Sequence, residues 1–446
     1  MIYEFFLQKC IFPVATCILG RKFWPRFKEL QKSQWLPRKK IEEMQLEKLQ
    51  CLVKHAYSSV PLYKQLMDKA KVKPEDLRCL SDIEKLPIVT KDDFRKGFPE
   101  RCTSKAVPRK DWLFDSTSGS TGSPFQFIRD YNFSDYSLAN TYRTYTWTGM
   151  KIGNKSVFLW GAHKSTLPIK LLDGLLRRRF MSSFDVEINY RRYYDELLRD
   201  RPFMLEAYSA SVTHFAKLLK KEGLKSLHIP AVISSAETLY PENRRLIEEA
   251  LHTKVFNRYG SREVGNVAHE CEKRKGLHVN AESYIIEVVS RDGKVLKGKD
   301  KKHGRLIITN LTSFAMPFIR YDTEDYGVPS DRTCTCGRGL PLLENIEGRV
   351  SDFILMPNGK ELSYLFFNYF FEQYGAYLRQ FQVIQDRKDH LLLRLVVTKK
   401  YNLEKEGEII RGIKNKTGRK MRLTISKVKR IEPEKSGKTR PVKRLI

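Results

Sequence analysis

Residues 203–257 read FMLEAYSASVTHFAKLLKKEGLKSLHIPAVISSAETLYPENRRLIEEALHTKVFN, and this stretch decides the fold. An apolar run at Phe203–Leu205 is followed by Ser209 and Ser211, then by apolar positions at helical spacing from about Val212 to Lys221, with a stop at Gly223. Ala231–Ser234 is a second apolar run, Pro241 opens a helix through Ala250, and Lys254–Asn257 is a third run. Strand, helix, strand, helix, strand with short links predicts a parallel sheet under helices, because parallel neighbours need a crossover and a helix supplies it. Such sheets bind ligands beyond the C-terminal ends of their strands. The segments expected there are Ser235-Ala236-Glu237-Thr238 and Arg258-Tyr259-Gly260-Ser261-Arg262-Glu263, polar and carrying glycine or serine as a binding edge requires.

Outward from this core, Glu42 to about Lys71 has helical spacing interrupted at Pro61, and Leu86–Phe94 reads as a turn and a helix capped at Thr90. Tyr131–Thr148 predicts an aromatic-rich helix, and Val157–Trp160 a buried strand ending at Gly161. After Gly276 the pattern changes to alternating strands at Tyr284–Val289, Arg305–Thr309 and Phe318–Tyr321, then a tight Cys334-Thr-Cys336-Gly-Arg-Gly loop. Beyond Gly348-Arg349 the sequence predicts an aromatic helix near Leu362–Tyr374, with Leu362, Phe366 and Phe370 on one face. Strands at Phe381–Ile384 and Leu391–Thr398, a helix at Leu403–Asn415 and a strand at Arg422–Val428 complete an α+β unit, and the residues from Glu434 read as a mobile basic tail. The expected organisation is α/β: a helical part at 1–110, a nucleotide- and substrate-binding core at 111–347, both in one large domain of layered sheets and helices, and a small α+β domain at 348–446.

Ser116–Phe125 reads Ser-Thr-Ser-Gly-Ser-Thr-Gly-Ser-Pro-Phe, with hydroxyls and bare amides but no charge. A polyphosphate needs such donors, and Gly119 and Gly122 let the backbone approach an anion closely. This is a candidate triphosphate clasp. It lacks the lysine and the spacing of a Walker-type loop, and taken alone it also fits a flexible linker.

Composition limits the alternatives. Lys and Arg outnumber Asp and Glu by 82 to 52, a formal charge of +30, so the surface attracts polyanions. The charges fall in scattered clusters such as Arg177-Arg178-Arg179, without the stripe or motif of a specific nucleic-acid binder. Eight cysteines in 446 residues do not make a disulfide scaffold, and five of them (Cys10, Cys17, Cys51, Cys79, Cys102) read mostly as small buried hydrophobes in a reduced, cytoplasmic protein. The first twenty residues contain Glu4, Lys9 and Pro13, which supports neither a secretory leader nor a clean membrane span. This apolar segment, followed by Lys22, Arg26 and Lys28, fits two arrangements equally: peripheral on the inner face of an anionic membrane, or packed as a helix on the domain.

Four stretches in order carry a resemblance: Thr117-Ser-Gly-Ser-Thr-Gly122, Tyr259-Gly-Ser-Arg-Glu263, Arg320-Tyr-Asp-Thr-Glu-Asp325 and Gly348-Arg-Val-Ser-Asp352. Together they resemble the adenylate-forming enzymes, and within them the phenylacetate-CoA ligase branch and its CapK-like relatives encoded with capsular polysaccharide genes. The resemblance implies that a carboxylic acid attacks the α-phosphate of ATP, giving an acyl-adenylate and pyrophosphate, and that a thiol such as coenzyme A then displaces AMP. It implies that Ser118, Gly119, Ser120, Thr121 and Gly122 hold the β- and γ-phosphates and that Glu263 ligates Mg²⁺. Ala236, Glu237, Tyr259 and Gly260 would line the adenine edge, while Asp325 and Arg349 would grip the ribose. Lys438, in a mobile lid that swings about a hinge near Val350–Asp352, would stabilise charge between carboxylate and phosphate. The chain departs from many relatives at Ser123, Glu324 and Ser351, where lysine, glycine and a charged hinge residue are common. A catalytically weak or silent relative that binds nucleotide or a partner in polysaccharide assembly is the alternative function.

Cys271, His278, Cys334 and Cys336 form a second constellation, a Cys-x6-His and a Cys-x-Cys separated by predicted strands. Thiolates and imidazole are the ligand set of structural Zn²⁺, and four protein ligands leave no open position for catalysis. His269 is an alternative ligand, and reduced loop thiols are the other interpretation.

Overall fold

The computed structural model describes residues 2–18, 20–117, 125–161, 166–349, 353–358, 361–363, 366–367, 370–371, 373–418, 420–432 and 440–446. They form two compact units, one of residues 1–323 and 327–346, the other of 324–326 and 347–446.

The larger unit begins with helices α1 (Ile2–Phe6) and α2 (Phe12–Ile18), joined by a π-helical turn at Leu7–Ile11, and α3 (Phe23–Ser33). Then come α4 (Arg38–Ser59), α5 (Pro61–Ala70) and α6 (Lys91–Gly97). Pro61 opens α5 at a position where its missing N–H costs nothing. Thr90 caps α6 by accepting from the Asp93 amide at 3.3 Å, while Asp93 accepts from the Thr90 amide at 2.9 Å. A hairpin of β1 (Leu113–Ser116) and β2 (Gln126–Arg129) precedes α7 (Tyr131–Trp147).

The chain then runs β3 (Ser156–Trp160), α8 (Leu167–Leu175), β4 (Arg178–Ser182), α9 (Val186–Asp200), β5 (Met204–Tyr208), α10 (Ser209–Lys221), β6 (Ala231–Ser235), α11 (Pro241–Leu251) and β7 (Lys254–Ser261). It continues through β8 (Gly265–Glu270), β9 (Leu277–Val279), β10 (Tyr284–Val289), β11 (Gly304–Asn310), β12 (Tyr321–Ser330) and β13 (Leu342–Arg349). Strands β3 to β13 form one sheet of eleven in the order β10-β11-β12-β13-β9-β8-β7-β6-β5-β3-β4. The β7-β6-β5-β3-β4 half is parallel, and β7 turns it antiparallel by pairing with β8.

Alternation along the parallel strands sends side chains to two cores. Val157, Leu159, Leu205, Val232 and Val255 pack under α9, α10 and α11 with Tyr193, Phe215 and Ile247. The opposite face gives Met204, Ala231, Ile233 and Phe256 to a core shared with Phe23, Trp24 and Leu30 of α3 and Tyr136, Tyr142 and Tyr145 of α7. Both faces are therefore covered, as a parallel sheet requires. At a third junction the fully buried Arg143 meets Glu282 at 2.6 Å and Asn280 at 2.6 Å, and Ser33 donates to Glu282 at 2.6 Å.

The smaller unit holds β14 (Phe353–Leu355), β15 (Glu361–Ser363), β16 (Leu378–Arg387), β17 (His390–Val397), the helix Leu403–Thr417, β18 (Arg422–Lys427) and β19 (Val442–Arg444). Its four-stranded sheet has the order β18-β17-β16-β19.

Several expectations are corrected. Ser209 and Ser211 lie inside α10 rather than before it, and β7 continues through Ser261 because Arg258–Ser261 pairs with β8. The strand expected at Phe318–Tyr321 starts at Tyr321. Leu362 belongs to β15, opposite Ile354, so it does not share a helical face with Phe366 and Phe370, whose rings stack at 5.6 Å. Within the expected mobile tail, Val442–Arg444 is a strand parallel to β16. Cys10, Cys51 and Cys79 are exposed and Cys102 is buried, so the early cysteines are not generally core residues. No helix among the described residues is long and apolar enough to cross a membrane.

Candidate active site

The hydroxyl-rich stretch connects the two strands of the β1–β2 hairpin, whose last pair is Ser116 opposite Gln126. Thr117 prolongs the closure: its amide donates to the Phe125 carbonyl at 2.9 Å, and its hydroxyl accepts from the Phe125 amide at 3.0 Å. Ser118, Gly119, Ser120, Thr121 and Gly122 lie outside the described residues, as do Val350, Ser351, Asp352 and Lys438. The base of the loop is fixed by Asp115, which pairs with Arg129 and lies 3.2 Å from Arg262.

Arg262 and Glu263 form the turn between β7 and β8. Gly260 just before it is required sterically, because a Cβ there would stand 2.2 Å from the Gly265 carbonyl oxygen. Glu263 is buried and accepts from the Tyr321 hydroxyl at 3.3 Å. Tyr259 is buried too, and its hydroxyl donates to Thr323 at 3.3 Å. Thus the base of the first sequence stretch, the second stretch and the start of the third converge. Asp325 is half-buried on β12, and Arg349 ends β13.

At the end of β6, Ala236 takes φ +66°, a conformation that turns the chain sharply out of the strand. Glu237 follows and accepts from the Ala210 amide at 2.7 Å, at the N-terminus of α10, where the helix dipole favours a carboxylate. Arg258 spans the neighbouring strand ends, donating to Ser235 at 3.0 Å and pairing with Glu206 at 2.6 Å.

Beside this edge, between α7 and strands β3 to β5, lies a cavity of about 250 Å³ walled by Tyr142, Tyr145, Phe158, Trp160 and Phe180, with Arg178 and Glu206 as its charged groups. Burial and the Glu206 carboxylate push the Tyr145 phenol well above its ordinary value, so it remains a donor and bonds Glu206 at 2.5 Å. Arg178 donates to the Tyr142 hydroxyl. Tyr208 packs against Trp160 with ring centroids 4.3 Å apart and the ring planes tilted by 40°. Aromatic residues near 142–160 are visible in the sequence, but Phe180, Arg178 and Glu206 are assembled by strand alternation across two strands, β4 and β5, and the arginine triplet disguises β4 as a surface cluster.

Cys271, His278, Cys334 and Cys336 come together as their spacing suggested, with all four ligand atoms within 4.8 Å of one another. The Cys271 and Cys334 sulfurs are 3.7 Å apart, and the Cys336 sulfur is 3.3 Å from His278 Nε2. Tetrahedral zinc with Zn–S bonds near 2.3 Å requires sulfurs about 3.8 Å apart, so the set fits the ion's size. Burial pushes the Cys271 thiol up to about 12 and pulls His278 down to about 4, which leaves a neutral imidazole ready to ligate. His269 is not part of the cluster; its Nδ1 lies 2.6 Å from the Glu270 carbonyl oxygen, and Trp147 meets both histidines edge-on.

The fold resembles 2-hydroxyisobutyryl-CoA ligase, solved in the postadenylation state with an acyl-AMP, at a TM-score of 0.71 and 20% identity over 92% of this chain and 91% of that one. The architecture is therefore that of the adenylate-forming class. A phenylacetate-coenzyme A ligase of Thermus thermophilus is 30% identical over 331 residues, covering 72% of this chain and 73% of the relative. Residues 354–445 match the CapK C-terminal domain family, and Protein CapK of Staphylococcus aureus is 24% identical over 294 residues, 64% of this chain and 62% of the relative. The chain belongs to the phenylacetate-CoA ligase and CapK-like family of adenylate-forming proteins.

Proposed function

We propose that this chain is an AMP-forming ligase that activates a carboxylic acid with ATP and transfers the acyl group to a thiol such as coenzyme A. The observation that carries the proposal is the convergence of the Asp115–Arg262 and Glu263–Tyr321 contacts beside the C-terminal edge of a parallel sheet. An oxygen of the acid attacks the α-phosphorus, the bond to the bridging oxygen breaks, and pyrophosphate leaves. The thiol sulfur then attacks the acyl carbon, AMP leaves with the C–O bonding pair, and the thiol proton passes to solvent.

In this proposal Ser118, Ser120 and Thr121 hydroxyls, with the Gly119 and Gly122 amides, hold the departing pyrophosphate. Glu263 would hold Mg²⁺, which would supply positive charge against the charge developing on the phosphates. Asp325 accepts from the ribose hydroxyls and Arg349 reinforces that grip, Ala236, Glu237, Tyr259 and Gly260 border the adenine site, and Lys438 is the cation that stabilises charge between carboxylate and phosphate. The aromatic cavity receives the acid's apolar body. The Cys271–His278–Cys334–Cys336 set holds a structural Zn²⁺ that staples two loops of the large domain. Similarity to CapK supports a place for the reaction in capsular or exopolysaccharide assembly.

Mass spectrometry of protein incubated with ATP, Mg²⁺ and a panel of aromatic and aliphatic acids tests the reading. An acyl-AMP bound to the protein is expected. Tight nucleotide binding with no adenylate across the panel would identify the silent alternative instead.

A further inference from the structure

The N-terminal helix is mostly apolar, yet only half of it is covered. On its inner side Leu7 is buried and Phe12 stacks on Trp24 with ring centroids 5.5 Å apart. On the outer side Phe6, Cys10, Val14 and Ile18 recur every four residues and are exposed, Ile18 by 78%. Four α-helical residues overshoot one turn and four π-helical residues fall short of one, so the turn at Leu7–Ile11 keeps this spacing on one side. An ordinary surface helix would place charges there.

A second uncovered apolar helix lies next to it. The Tyr3 hydroxyl donates to the Leu175 carbonyl at 2.7 Å, and the Arg177 guanidinium stands 3.9 Å over the Tyr3 ring, which fixes α1 against the end of α8. On α8, Leu167 and Leu171 are 70% and 67% exposed, one turn apart on the same face as exposed Lys170. Asp173, the acidic residue of α8, is buried beside Arg178 at 3.9 Å. Among the described side chains of these helices, the exposed charges are Lys9 and Lys170, with Arg177 at the junction.

We propose that the face formed by residues 2–18 and α8 docks in the plane of an anionic lipid bilayer, with Phe6, Val14, Ile18, Leu167 and Leu171 in the headgroup–acyl boundary. No helix among the described residues is long and apolar enough to cross a bilayer, and an apolar face flanked by cations suits the interfacial plane. Self-association through the face would bring Lys9, Lys170 and Arg177 of two copies together on a chain of formal charge +30, whereas anionic headgroups complement them.

Flotation of the full chain with vesicles of mixed phosphatidylglycerol and phosphatidylcholine, and of phosphatidylcholine alone, tests docking. Insertion is read separately with Leu171→Trp, whose added emission should shift to the blue and be quenched by brominated acyl chains. Binding to the mixed vesicles is expected, weakened at least about tenfold by Val14→Glu with Ile18→Glu or by Leu167→Glu with Leu171→Glu, with circular dichroism unchanged. No flotation, flotation without quenching of the introduced tryptophan (adsorption of a cationic protein only), or a dimer dispersed by the same glutamates would each overturn the proposal. Should the glutamates disturb folding, the quenching result decides alone.

Discussion

Asp115 and Arg262 meet at 3.2 Å, and this contact ties the base of the hydroxyl-rich hairpin to the turn that carries Glu263. Asp115 also pairs with Arg129, so one carboxylate organises two guanidinium groups from different elements. Arg262 is largely exposed, so the pair contributes little to stability and its role is positional. Asp115→Asn should raise the dissociation constant for ATP about tenfold, roughly 1.4 kcal/mol, with little change in Tm. Titration calorimetry checks it, and unchanged nucleotide affinity would contradict it.

Glu263→Gln keeps the shape of the turn and removes the charge offered to a divalent cation. The expected result is a fall in adenylation rate of roughly 100- to 1000-fold, partly restored at high Mg²⁺. Tyr321→Phe removes the 3.3 Å donation to Glu263 while leaving the carboxylate in place, and a loss of a few fold is expected. Stopped-flow or quenched measurements of acyl-AMP formation at varied Mg²⁺ separate the two.

The thiol and imidazole cluster should contain one zinc per chain by elemental analysis. Cobalt substitution should give the intense thiolate-to-metal absorption of a tetrahedral site. Cys271→Ser and Cys336→Ser should each lose the metal and lower Tm markedly, since metal binding free energy is folding free energy at a structural site. Full Tm retention after chelation would show that the four residues are merely packed thiols.

Glu282 and Arg143 test the scaffold behind the site. Burial acts to raise the Glu282 carboxyl, but the Arg143 charge and the hydrogen bonds from Arg143 and Ser33 outweigh it and hold the group below its ordinary value of 4.5. A depressed folded value means the pair's contribution is complete above 4.5 and fades as pH falls below it. Glu282→Gln leaves a buried guanidinium without its counter-charge and should destabilise by about 3–5 kcal/mol. Denaturant midpoints at neutral and acid pH should show that loss and a flatter acid limb in the variant.

How far the sequence led can be judged from particular residues. The strand–helix alternation of 203–257 is a local signal, and β5, α10, β6, α11 and β7 stand where it pointed. Strand β4 escaped because Arg178 and Arg179 sit in a parallel strand beside β3, where pairing rather than apolar content sets the conformation. Trp147 shares the aromatic-rich helix with Tyr142 and Tyr145, but the helical turn sends it to His269 and His278, away from the cavity those two tyrosines line. The Cys-x6-His and Cys-x-Cys pairing was legible because ligand chemistry restricts partners more than packing does.

The backbone at Glu324 shows why glycine suits this position, where the chain departs from the family pattern. Its φ is +62°, a left-handed backbone that glycine adopts freely and an L side chain does not. Glu324→Gly should be neutral to stabilising by up to about 1 kcal/mol, whereas Glu324→Val should destabilise, as thermal unfolding can show.

Formation of an acyl-adenylate by this chain is the claim on which the rest depends. Carboxylate-dependent exchange of labelled pyrophosphate into ATP measures that step alone, before any thiol acceptor is needed. Exchange with at least one aryl or acyl acid, abolished by Glu263→Gln and by Lys438→Ala, is the predicted result. No exchange across a broad acid panel by folded, Mg²⁺-ATP-binding protein would contradict it.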